Sequence, residues 1–200
     1  MSKQVIIDYI GSIDVSPTQI NESLKNNNGK LIVAGVMQRA DAKNQNGRKY
    51  PIEILKREAT NYKKSFISEK RALGELDHPE SQVVNLANVS HNVLDLWWQG
   101  NDLMGKIEIL GTPSGNIAKE LLKAGIRLGI SSRGMGSVKE LGEGTVEVQD
   151  DFEIVCWDLV SNPSTHGAFM APKLNEGVNA SNNKYSKINS LISEIITVMQ

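Results

Sequence analysis

Two hundred residues, 40% hydrophobic and 22% charged, fit one packed soluble domain and exclude a disordered or fibrous chain. A net charge of −1 gives no basic field for nucleic acid, and no apolar run approaches the ~20 residues of a membrane span. The single cysteine, Cys156, excludes an internal disulfide framework and reads as a buried strand thiol within Phe152–Trp157.

The first residues lead directly into a strand, Gln4–Ile10, without the apolar core of a secretory signal. The chain is therefore expected to stay in the cytoplasm that makes it. Ser16-Pro17 opens a helix to Lys25, and Asn26–Gly29 turns the chain into a second strand, Lys30–Gln38. Residues 39–49 are polar and turn-rich. Tyr50-Pro51 starts a helix reaching Ser65, with Pro51 where a missing N–H costs nothing. Arg71–Leu76 is a strand that delivers Asp77-His78-Pro79 at its end. Val89–Trp98 and Leu103–Leu110 form a hairpin around Gln99–Asp102. Thr112 caps a helix to Ala124, which Gly125 ends. Arg127–Ser132 is a strand, and Val146–Val160 reads as one long strand-like run.

These elements predict an α/β or α+β domain over residues 1–172, built as a β-barrel or curled sheet surrounded by helices. Residues 173–184 have linker composition, and apolar residues at helical spacing from Tyr185 to Met199 predict an amphipathic helix over 185–200.

Two segments carry chemistry, Gly74-Glu75-Leu76-Asp77-His78-Pro79 and Gly129-Ile130-Ser131-Ser132-Arg133-Gly134-Met135-Gly136-Ser137. A histidine at a strand end can take a proton from a neighbouring hydroxyl, because its pKa lies near neutrality. A serine among glycines can present its Oγ openly. By themselves these are weak signals. A strand histidine more often serves structure, and Ser-Ser-Arg-Gly more often makes a turn.

The weighting changes because these blocks resemble those of the prohead core proteases of T-even-type tailed phages: Gly-Glu-x-x-His-Pro, then Gly-Val/Ile-Ser-Ser-Arg-Gly-x-Gly-Ser. Asn44–Pro51 resembles the loop before that family's helix, Trp97–Asp102 its Trp-Trp-x-Gly-Asn-Asp hairpin, and Asp158–Ser164 its Asp-x-Val-x-x-Pro segment. The resemblance implies a fold similar to the herpesvirus capsid-maturation protease. It also implies a serine endopeptidase working inside the phage prohead in the host cytoplasm, with scaffold and capsid proteins as substrates. No cofactor, metal, nucleic acid or membrane partner is implied; three scattered histidines and one cysteine form no ligand cluster. A homo-oligomer stays open, since herpesvirus relatives dimerise.

The resemblance assigns His78 as general base and Ser131 as nucleophile. Ser132 is the rival, because only one of two adjacent strand residues can face His78. The third member is open among Asp158, His91 and His166. Asp158 is carried forward because it lies in a matching block and a carboxylate would orient the imidazole. Glu75 would point away from His78 in a strand. Arg133 and the N–H groups of Ser132, Arg133 and Gly134 are the candidate oxyanion donors.

Proteases resembling this chain cut after glutamate in Leu/Ile-x-Glu. Leu174-Asn175-Glu176-Gly177 places such a site in the linker, so self-cleavage between Glu176 and Gly177 is expected to release the tail helix. A non-enzymatic phage assembly protein of related fold is the alternative; two intact motif blocks argue against it. An α/β-hydrolase is disfavoured by the missing Gly-x-Ser-x-Gly elbow.

Overall fold

Helices form where the sequence caps them. Ser16 and Gln19 make a reciprocal capping box at the start of α1 (Pro17–Asn26), and Thr112 accepts from the Gly115 N–H at the start of α3 (Pro113–Lys123). Between them, α2 (Ile52–Tyr62) runs on into a π-helical turn, Lys63–Ile67. The computed structural model describes residues 3–13, 16–79, 81–161 and 169–172, with 9–13 and 169–172 described by backbone alone. The expected linker, the tail helix, Glu176, Gly177 and His166 lie outside the described residues.

The strands are β1 (Gln4–Ile13), β2 (Leu31–Arg39), β3 (Arg48–Lys49), β4 (Leu73–Glu75), β5 (Val89–Gln99), β6 (Asp102–Ile109), β7 (Leu128–Gly136), β8 (Val138–Gly142), β9 (Thr145–Val148), β10 (Glu153–Val160) and β11 (Phe169–Pro172). Eight form one sheet in the order β10-β7-β1-β11-β2-β6-β5-β4, and β3-β9-β8 form a small second sheet. The fold is thus mixed α+β and mostly strand. The single run expected over 146–160 is two strands. Asp150 and Asp151 interrupt it with a turn closed by the Phe152 N–H on the Gln149 carbonyl (3.1 Å). The two-residue β3 and the short β11 were not expected from the sequence.

The large sheet curls until its edge strands meet. Leu76 makes one parallel bridge to Leu159 of β10, and the Asp77 N–H donates to the Leu159 carbonyl at 2.7 Å. A closed barrel is not formed. At the seam the Glu75 N–H donates to the Asp158 carboxylate (3.0 Å) rather than to a β10 carbonyl, so a side chain interrupts what would be a ladder.

One face of β7 and its neighbours feeds the apolar core: Ile6, Ile130, Ile154, Trp157 and Leu159 pack with Leu55, Ala59 and Tyr62 of α2. Tyr62 meets Trp157 edge-on at 4.8 Å between ring centroids. Gly74 is demanded by this packing. A Cβ there would lie 2.0 Å from the Trp157 carbonyl oxygen and 2.3 Å from His91 Nε2.

Candidate active site

The parity of β7 sends its two serines to opposite faces. Ser131 lies opposite Asp158 of β10, whereas Ser132 lies opposite Trp157 and, on the other side, Asp8 of β1. Ser132 therefore faces the apolar core. Ser131 and Arg133 share the other face with Asp158.

His78 reaches that face because the chain turns sharply after β4. Asp77 takes a left-handed backbone conformation (φ 68°), held by its N–H on the Leu159 carbonyl. Pro79 then restricts His78 to an extended backbone. The His78 side chain, 3% exposed, lands over Ser131 and Asp158, both fully buried. His78 Nε2 is 2.9 Å from Ser131 Oγ, and His78 Nδ1 is 3.0 Å from Asp158 Oδ2. An ionised Asp158 requires the proton on Nδ1. That leaves the Nε2 lone pair to accept from the Ser131 hydroxyl. The same hydroxyl can rotate to the Asp8 main-chain carbonyl, also 2.9 Å away.

Asp158 is held by more donors than an orienting carboxylate needs. Oδ1 accepts from the Glu75 N–H (3.0 Å), Arg133 Nη2 (3.1 Å) and the Cys156 thiol (3.3 Å). Oδ2 faces both His78 Nδ1 and Arg133 Nε (3.0 Å). Burial pushes the Asp158 pKa up. The opposing pull of His78, the Glu75 N–H and Arg133 is larger, and the net shift is downward.

Arg133, expected as an oxyanion donor, is placed otherwise. It is fully buried, and its guanidinium is committed to Asp158, to Glu75 Oε1 (2.7 Å) and to the Ser81 carbonyl (2.8 Å). The N–H groups of Ser132, Arg133 and Gly134 belong to a strand paired with β1 on one side and with β10 on the other, the β10 register shifting between Ile154 and Cys156, opposite Gly134 and Arg133.

Glu75 was expected to point away from His78, but the left-handed turn at Asp77 ends the strand alternation, and the Glu75 carboxylate pairs with Arg133 on the face that Ser131, Asp158 and the imidazole share; its Oε1 also accepts from the Asn85 N–H (3.0 Å). The two sequence blocks therefore clasp each other through a fully buried ion pair. Sequence reading missed this pairing. The signal was available in Arg133 standing two residues from Ser131, on the same strand face.

His91 does not reach His78. Its ring joins the Trp157 carbonyl and the Ser90 hydroxyl, each at 2.9 Å, and burial lowers its pKa to about 4. It serves as a neutral structural residue. The Asn44–Tyr50 loop also has a visible purpose. Asn44 Oδ1 accepts from the N–H groups of Asn46 and Arg48, and this turn aims Asn46, Arg48 and Tyr50 at the buried Asp8 carboxylate. Beyond Arg133, a cleft of about 910 Å³ opens along β10, lined by Tyr62, Phe66, Arg71, Val83 and Met135 among others.

Residues 5–182 match the family model described as prohead core protein serine protease. The chain is 34% identical over 147 residues to the prohead core protein protease of Enterobacteria phage T4, covering 72% of this chain and 69% of that one. Its structure is similar to that of the bacteriophage T4 capsid assembly protease, gp21. The TM-score is 0.70 at 26% identity, over 82% of this chain and 100% of that one.

Proposed function

The chain belongs to the prohead core protein serine protease family, and from that premise we propose that it is a serine endopeptidase with Ser131 as nucleophile, His78 as general base and Asp158 as the carboxylate that orients it. The observation that carries this reading is the continuous relay Ser131 Oγ–His78–Asp158, with contacts of 2.9 and 3.0 Å inside a buried site.

In this mechanism His78 Nε2 takes the hydroxyl proton as Ser131 Oγ attacks the peptide carbonyl, and Asp158 stabilises the imidazolium that results. The imidazolium then protonates the leaving amine. A water activated by the same histidine hydrolyses the acyl-enzyme.

The substrates in this proposal are phage scaffold and capsid proteins within the prohead, cut after glutamate in Leu/Ile-x-Glu. The chain also cuts itself between Glu176 and Gly177. A likeness to the herpesvirus capsid-maturation protease belongs to the same proposal. Its support is the family membership and the motif blocks that meet at the seam.

Intact mass of the purified full-length chain, followed over time, tests the reading. The wild type is expected to shed residues 177–200, whereas Ser131→Ala and His78→Ala stay whole and Ser132→Ala still cleaves. Cleavage that persists in Ser131→Ala and stops in Ser132→Ala would overturn the nucleophile assignment. An inert wild type that also leaves a Leu-Asn-Glu-Gly peptide uncut would overturn the protease reading.

A further inference from the structure

The charges around His78 do not balance. Asp158, Glu75 and Arg133 are each fully buried, and the one guanidinium is shared between two carboxylates: Nη2 lies 2.7 Å from Glu75 Oε1 and 3.1 Å from Asp158 Oδ1. Two carboxylates against one guanidinium leave one net negative charge in a medium that tolerates it poorly.

Among the described residues, the other titratable groups facing this cluster do not offset it. The Cys156 thiol on β10 is held protonated by burial and by Asp158, and so is the Tyr62 phenol of α2. His91 on β5 is neutral above its pKa of about 4. Asp77 is exposed, and the Asp8 carboxylate faces Arg48 on the opposite side of the sheet. Among the described residues, His78 is the group left to balance the cluster, and it does so when it carries a second proton.

We propose that Glu75 is a positioning residue for catalysis: by taking a share of Arg133, it leaves Asp158 with the uncompensated negative charge that receives the His78 imidazolium. This rests on the proteolytic reading above. Without the Glu75 charge, Arg133 would neutralise Asp158 outright, and the imidazolium formed during attack would meet a neutral ion pair. Glu75 acts through Arg133 and Asp158 and touches no reacting atom.

The substitution Glu75→Gln removes the charge with little change of shape. Its amide oxygen can still accept from Arg133 and the Asn85 N–H, and its amide nitrogen replaces Oε2, which has no hydrogen-bond partner among the described residues. The direct measurement is an NMR titration of the His78 imidazole in the full-length chain carrying Ser131→Ala, so that no self-cleavage intervenes. The resonance is assigned by its loss in His78→Gln.

Glu75→Gln is expected to lower the His78 midpoint by about one pH unit, since a less negative site favours imidazolium less. In the active chain the acidic limb of kcat/KM moves down with it, and the plateau falls about tenfold. Adding Arg133→Met returns the cluster to one negative charge, and the midpoint is expected to return to the parent value. A midpoint unmoved by Glu75→Gln in a folded chain would overturn the proposal and leave Glu75 a structural residue. So would a double variant whose midpoint stays low. Where Glu75→Gln alone does not fold, the double variant decides by that criterion against the parent. The titration is read without proteolysis, so a wild type that cuts nothing overturns the protease reading separately.

Discussion

Asp8 and Asp158 stand on opposite sides of β7, one on each neighbouring strand, and both are fully buried. Burial pushes both carboxyls toward protonation. At Asp8 it prevails over Arg48, Tyr50 and Asn46, and the pKa is raised. At Asp158 it loses to His78, the Glu75 N–H and Arg133, and the pKa is lowered. Burial alone therefore does not decide the state of a carboxyl; the donors aimed at it do. Asp8 ties the Asn44–Tyr50 loop to β1, a task a neutral side chain could perform. Asp158 is held toward the charged state, as the proposed orienter of an imidazolium must be.

The strongest way to break this comparison is to neutralise both residues. Asp158→Asn is expected to reduce cleavage of a Leu-Asn-Glu-Gly peptide about ten-thousand-fold, because Nδ1 loses its anionic acceptor and the tautomer is no longer fixed. A loss of less than about tenfold would remove Asp158 from the relay.

His91 sharpens the comparison on the pH axis. Its pKa of about 4 in the folded chain lies below the ordinary 6.5, so the unfolded chain binds its proton first. Its contribution is complete above pH 6.5 and is lost as pH falls toward 4, by ~3 kcal/mol. Urea unfolding between pH 7 and 4 should show this slope, and His91→Gln should flatten it.

The smallest effect belongs to Asp8→Asn. Stability at pH 7 should change by ~1 kcal/mol or less, since burial works against the Asp8 charge and raises its pKa, and Arg48 is partly solvated. Peptide cleavage should stay within about threefold of wild type, because Ser131 contacts the main chain of Asp8 and not its carboxylate.

The meeting of His78 with Ser131 was expected from the sequence because their blocks combine strand ends, Gly and Pro with a specific resemblance. The choice of Ser131 over Ser132 was not legible from strand physics, since it depends on which face the Asp77 turn covers. The ion pair of Arg133 was missed for a related reason. Its partner Glu75 lies 58 residues away, and only the curl of the sheet brings the pair together. The hairpin and the helix caps were local and were read correctly. The break between β9 and β10 was not, because the apolar pattern runs up to it from both sides.

The seam between β4 and β10 also bears on time. His78 follows one edge strand of the sheet and Asp158 sits on the other; the Glu75–Asp158 contact that joins them spans 83 residues. Contacts of such separation are entropically costly to close and form slowly. A nascent or partly folded chain can hold every residue of the relay and still lack the relay. On the proteolytic reading proposed above, competence then waits for this closure of the sheet, and a chain emerging from the ribosome is harmless to its neighbours until the seam has formed.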